Sequence, residues 1–205
     1  MPGVADWKMS VPQGWSVWVP GSPDVAALRA AATTTRRAGV SLTHGIGVIE
    51  KELEKAPGDV LQAGVRAADP RTGLVSGSMR LTHWPRPAVD GRPLNAKRHL
   101  EQLREQGPAP GRQYQHREVT LTTVPAGQCV LVSEIWRKNW GLRSMTALTA
   151  TIFPRGTSSL FRLEVTSRYG ELQPELMAET SLMAHSLEVR AADVAGEVAP
   201  GGATT

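Results

Sequence analysis

The 205-residue chain is 40% hydrophobic and 20% charged, with a formal net charge of +4 from 23 basic and 19 acidic side chains. That composition can bury a core, excludes a largely disordered chain, and is too weakly basic to argue for a nucleic-acid partner by itself. The one cysteine, Cys129, excludes an intrachain disulfide and with it a secreted disulfide scaffold.

The opening MPGVADWKMSVPQGW has no basic stretch leading into an apolar one, and no run approaches a membrane span. A cytoplasmic protein without a signal peptide is expected. Trp7, Met9 and Val11 alternate, as do Trp15, Val17 and Val19, with Pro12 and Gly14 between them. Two short strands joined by a turn follow from that pattern, and their indole N–H groups need acceptors if buried. Ser22 then suits an N-cap and Pro23 a first helical position, which predicts a helix over Pro23–Ala32 with Gly39 ending any continuation.

Val40–Ile49 reads as a strand, followed by a solvated turn or edge in EKELEK. The glycines of HGIGV carry neither a dinucleotide nor a Walker-type phosphate loop, and are expected at a strand bulge or close crossing. LQAGVRAADPRTGLVSGSMRLTHWP reads as two strands around a turn at Asp69–Gly73, with Met79 and Leu81 on the core side. Asn95 caps a helix running to about Gln106, stopped by Gly107 and Pro108.

The remainder reads as a meander. Strands are expected over Tyr114–Val124, Gln128–Trp136, Leu142–Phe153 and Leu160–Thr166, separated by turns at Pro125–Gly127, Asn139–Gly141 and Pro154–Thr157. An amphipathic helix follows, with Leu172, Leu176 and Met183 on one stripe and Glu171, Glu175 and Glu179 on another, then a short strand at Ser186–Val189. Residues 1–190 are read as one α+β domain and 191–205 as a flexible Gly/Pro-rich tail.

The order of these elements, opening on Pro12-Gln13-Gly14-Trp15 and closing on Phe161–Thr166 with the helix from Glu171 to His185, resembles the PsbP/Mog1-like fold. The resemblance covers about Trp7 to Arg190. It implies a central antiparallel β-sheet flanked by helices, an α/β/α sandwich, in a protein that binds or assembles with another protein and does not catalyse. It carries no binding residue across.

Searching the chain for chemistry yields little. The five histidines, His44, His83, His99, His116 and His185, form no close ligand pair, so no metal is expected. Ser76-Gly77-Ser78 is not a nucleophile elbow, and Asp6, Asp69 and Asp90 sit near turns. Cys129, in the apolar run QCVLV, is expected to be a buried, inert thiol. No catalytic residue and no cofactor are assigned.

Two surfaces remain as candidates. One is a basic stretch of Arg86, Arg92, Lys97 and Arg98, followed by His99. The other is Trp136, Arg137, Lys138, Trp140 and Arg143 around one turn. Trp beside Arg suits a protein hot spot, stacking on nucleic-acid bases, or a hairpin whose indoles cover a sheet edge. The leading expectation is a non-catalytic protein-binding or assembly factor that uses this turn. The alternative is a small-ligand-binding protein or enzyme with a pocket between sheet and helix.

Overall fold

The computed structural model describes residues 3–56, 58–107, 111–138 and 144–192. Its strands are β1 (Val4–Lys8), β2 (Trp15–Trp18), β3 (Asp59–Ala67), β4 (Val75–Pro85), β5 (Ala88–Val89), β6 (Arg92–Pro93), β7 (Arg112–Val124), β8 (Gly127–Lys138), β9 (Met145–Pro154), β10 (Ser159–Ser167) and β11 (Glu188–Ala191). Its α-helices are α1 (Val25–Ala32), α2 (Arg36–Leu53), α3 (Ala96–Glu105) and α4 (Gln173–Ser186). Seven strands form one antiparallel sheet in the order β2-β3-β4-β10-β9-β8-β7, while β1 pairs with β11 and β5 with β6 in separate ribbons. The protein is thus α+β, a sheet flanked by helices. Among the described residues no helix is long and apolar enough to cross a membrane.

Successive strand residues face opposite ways, and the two faces are covered by different helices. On one face Cys129, Leu148, Ala150, Ile152, Phe161 and Leu163 pack with Leu176, Met183 and Ala184 of α4. Their neighbours Val130, Phe153 and Leu160 point the other way and pack with Ala96 and Leu100 of α3. Helix α2 shares the α3 side. Its Leu42 and Ile46 cover Ala63 and Val65 of β3, whereas Gly64 between them lies against Met79 on the α4 side. Burial of Leu42 and of Ile46 each contributes about 1.5–3 kcal/mol.

An ion cluster fastens α4 to the sheet. Arg66 of β3 donates through Nε to Glu179 Oε2 at 3.0 Å and is also bridged to Glu175, while the Trp15 indole N–H donates to the same Glu179 carboxylate at 2.8 Å. Arg66 is 8% exposed, so each acid neutralises a charge that burial would otherwise penalise. The Trp18 indole N–H finds its acceptor in Glu50 Oε1 at 2.6 Å, and the other oxygen of that carboxylate accepts from Gly21 N at 2.9 Å.

Several local expectations are corrected. Val40–Ile49 is not a strand but the middle of α2, which Thr35 caps by accepting from Ala38 N at 3.1 Å. The spacing of Ala38, Leu42, Ile46, Ile49 and Leu53 is helical, and it outweighs the β-branched residues and glycines among them. Gly39 lies inside this helix instead of ending one. The EKELEK run is the helix's last turns, not an edge, though Lys51, Glu52, Glu54 and Lys55 are exposed. Asp24, not Ser22, caps α1, accepting from Ala27 N at 2.9 Å. The turn at Asn139–Gly141, the Pro108 stop and the tail beyond residue 192 lie outside the described residues, and the last strand reaches Ala191.

Candidate functional site

One end of the sheet holds a pocket of about 450 Å³, where β4, β7, β8 and β9 terminate beside the first turn of α3. Its polar walls are Arg86, Arg155, Asn95, Thr123 and Gln128, with Phe153 among the apolar ones. Each arrives by a local cause. Arg86 follows the last residue of β4, and its amide donates to Ser158 O at 2.8 Å, extending the β4–β10 ladder by one step. The next residues form the β5–β6 hairpin, whose Asp90 and Gly91 both take positive φ, 51° and 70°. Asp-Gly suits that tight turn because both residues tolerate the left-handed region. Asn95 then caps α3, its Oδ1 accepting from Arg98 N at 2.9 Å.

The opposite wall is the turn between β9 and β10. Thr157 is buried there, its hydroxyl donating toward Pro154 O and Ser159 O at 3.4 Å each. Arg155 N donates to Ala126 O at 3.0 Å, tying this turn to the start of β8. Gly127 is required at that junction, since a Cβ would stand 2.2 Å from Phe153 O.

Arg86 is the central charged group. Its Nε donates to Ser159 O at 2.9 Å and its Nη2 to Pro154 O at 2.5 Å, and its guanidinium carbon lies 5.6 Å from the Phe153 ring centre. Burial pushes its pKa down, with no acidic group acting against that shift. Among the described residues no Asp or Glu lines the pocket. Behind Phe153 the His99 ring of α3 lies 5.8 Å away, centre to centre. Burial, then the positive charge of Arg162, lowers the His99 pKa. The imidazole is therefore held neutral more firmly than an exposed one.

Of the basic stretch singled out in the sequence, Arg86 lines the pocket, and Lys97 and Arg98 stand in the α3 turn beside it. Arg98 is committed elsewhere: Nη1 donates to Val89 O at 2.9 Å and Nη2 pairs with Asp90, which fastens the hairpin to α3. Arg92 is exposed on β6. The aromatic turn lies at the far end of the sheet. Trp136 is nine residues along β8 from Gly127, about 30 Å at strand spacing. Trp136 is 6% exposed, and Arg112 of β7 covers its ring at 4.0 Å. Its indole N–H has no acceptor among the described residues. Arg137 is exposed, while the Lys138 side chain, Trp140 and Arg143 lie outside the described residues.

Sequence reasoning assigned Asn95, Thr123, Gln128, Phe153 and Arg155, among other lining residues, to no site. Strand pairing brings the ends of β7, β8 and β9 together, and the packing of α3 on the sheet adds Asn95. Cys129 is one strand position beyond Gln128 but faces α4, where burial pushes its thiol up to about 12. Among the described residues no group of three or more His, Cys, Asp or Glu could hold a metal ion.

No family model matches this chain. No curated protein matches it either. Among solved structures it is similar to the crystal structure of LpqN, involved in cell envelope biogenesis of Mycobacterium tuberculosis. The TM-score is 0.49 and the identity 16%, over 92% of this chain and 86% of that one.

Proposed function

We propose that this protein is a non-catalytic binding protein that receives a small ligand in the pocket between the sheet end and α3. The observation that carries the reading is the pocket itself, about 450 Å³ with an anchored arginine and an aromatic ring among its walls. The volume is in the range of small-molecule sites, and the lining is more polar than most of them, which favours a polar ligand. The lining polar groups serve to hold a ligand. The Thr157 hydroxyl is engaged with backbone carbonyls. The order of elements supports reading the fold as PsbP/Mog1-like, a resemblance that implies a non-catalytic role and is silent on a small ligand.

The test is a fragment screen on the ¹⁵N-labelled full chain, followed by amide chemical shifts. Fragments are expected to move the amides of Ala96, Arg155, Gly156 and Thr157 together and saturably. A screen in which no fragment moves those four amides overturns the reading.

A further inference from the structure

We infer that the pocket's ligand is anchored by an oxyanion, a carboxylate or a phosphoryl group, held between the guanidinium groups of Arg86 and Arg155. This rests on the reading of the pocket as a ligand site and specifies what that ligand must carry.

Among the described residues, most of the other buried or partly buried arginines meet a carboxylate. Arg66 meets Glu175 and Glu179, Arg80 meets Glu164, Arg98 meets Asp90 and Arg117 meets Glu134. Arg86 is partly buried like these, yet among the described residues its guanidinium bonds run to the carbonyls of Ser159 and Pro154 and to no carboxylate. Arg29 also has no carboxylate partner among the described residues, but its guanidinium is packed against Gly39 of α2. Arg86 instead borders a pocket, and Arg155, with no ion pair among the described residues, borders the same one.

A guanidinium has five N–H donors. The two carbonyls take one from Nε and one from Nη2, which leaves three, including both on Nη1. The carbonyl bonds also fix the plane of the group, so those donors are aimed before a ligand arrives. Oxyanions match paired guanidinium donors in charge and shape, and such bonds are about twice as strong as neutral ones. A cation would meet two like charges here with no acid among the described lining residues to offset them. A neutral amide could accept from Arg86 but would leave the charge uncompensated.

The experiment titrates the ¹⁵N-labelled full chain with sodium phosphate, sodium acetate and acetamide, at constant ionic strength made up with chloride. The Arg86→Gln and Arg155→Gln variants are titrated alongside, each first shown to keep the wild-type amide spectrum outside the pocket. Arg155 is exposed, so its variant remains informative if Arg86→Gln fails to fold. Phosphate or acetate is expected to move the amides of Ala96, Gly156 and Thr157 saturably. Acetamide should do so weakly, and each folded variant should lose about tenfold in affinity for the anion. Stronger binding of phosphate assigns a phosphoryl group, and stronger binding of acetate a carboxylate.

The inference is overturned if acetamide binds as well as acetate, or if Arg155→Gln and a folded Arg86→Gln leave anion affinity unchanged. If fragments occupy the pocket but neither anion does, the oxyanion inference fails while the ligand-site reading stands. If neither fragments nor anions move these amides, both fail.

Discussion

His99 illustrates how a single side chain registers the environment of the site. It lies between the Phe153 ring and the positive charge of Arg162, and burial is the larger cause of its lowered pKa. The unfolded chain protonates this imidazole near its ordinary value of 6.5, while the folded chain does so only at lower pH. Below 6.5 the unfolded state therefore binds more protons, and folding stability rises with pH. The contribution is whole above 6.5 and is lost as pH falls through the lowered native value. Urea unfolding between pH 7.5 and 5 should show wild type losing more stability than His99→Gln over the same interval. Equal losses would mean that the ring titrates as an exposed histidine does, and that the packing behind Phe153 is open to water.

Helix α2 shows where the sequence could and could not be read. The meander strands form where their alternation puts them, Leu176 and Met183 of α4 are buried although Leu182 is exposed, and Asn95 caps its helix as its side chain predicts. In α2 the local cues contradict the outcome. Val40, Ile46, Val48 and Ile49 favour extended chain, and Gly39, Gly45 and Gly47 weaken a helix. What decides it is tertiary. The stripe of Leu42 and Ile46 buries against β3, and Val40 is left 61% exposed on the outside. The pocket was legible only through Arg86, because its other walls are separated in sequence and meet through strand register and the packing of α3. The two glycines of HGIGV test this account of the helix. A Cβ at Gly45 would stand 2.4 Å from Val75 Cγ2 of β4, while one at Gly47 would meet nothing within 4 Å. Gly45→Ala should therefore cost about 1–3 kcal/mol by forcing α2 off the sheet. Gly47→Ala should stabilise by about 0.5–1 kcal/mol through helix propensity. Urea midpoints of the two variants decide it, and a stabilising Gly45→Ala would refute the close approach.

The whole molecule is organised around strands that are distant in sequence. β10 lies between β4 and β9, so the centre of the sheet forms only when the middle and the last third of the chain meet. Each central strand has ladder bonds on both sides. Leu148, Ala150, Ile152, Phe161 and Leu163 are buried under α4. The β1–β11 ribbon is different. It has only two strands, pairs outside the main sheet, and exposes Asp6, Lys8, Glu188 and Arg190. A two-stranded ribbon gains little cooperativity of its own. It should open without disturbing the sheet, whereas the central strands should exchange only when the molecule unfolds. Amide hydrogen exchange is expected to protect Ala150 and Leu163 about a thousandfold or more over ribbon amides such as Lys8. The pocket end should fall between, since its wall turns rest on the central strands. Binding a ligand there at about 100 times its dissociation constant adds about 2.7 kcal/mol to global stability. That gain should appear at Ala150 and Leu163, remote from the ligand, and leave Lys8 unchanged. If the ribbon gained as much as the centre, the two would unfold as one unit. If the centre gained nothing, the pocket would be opening separately from the sheet that builds it.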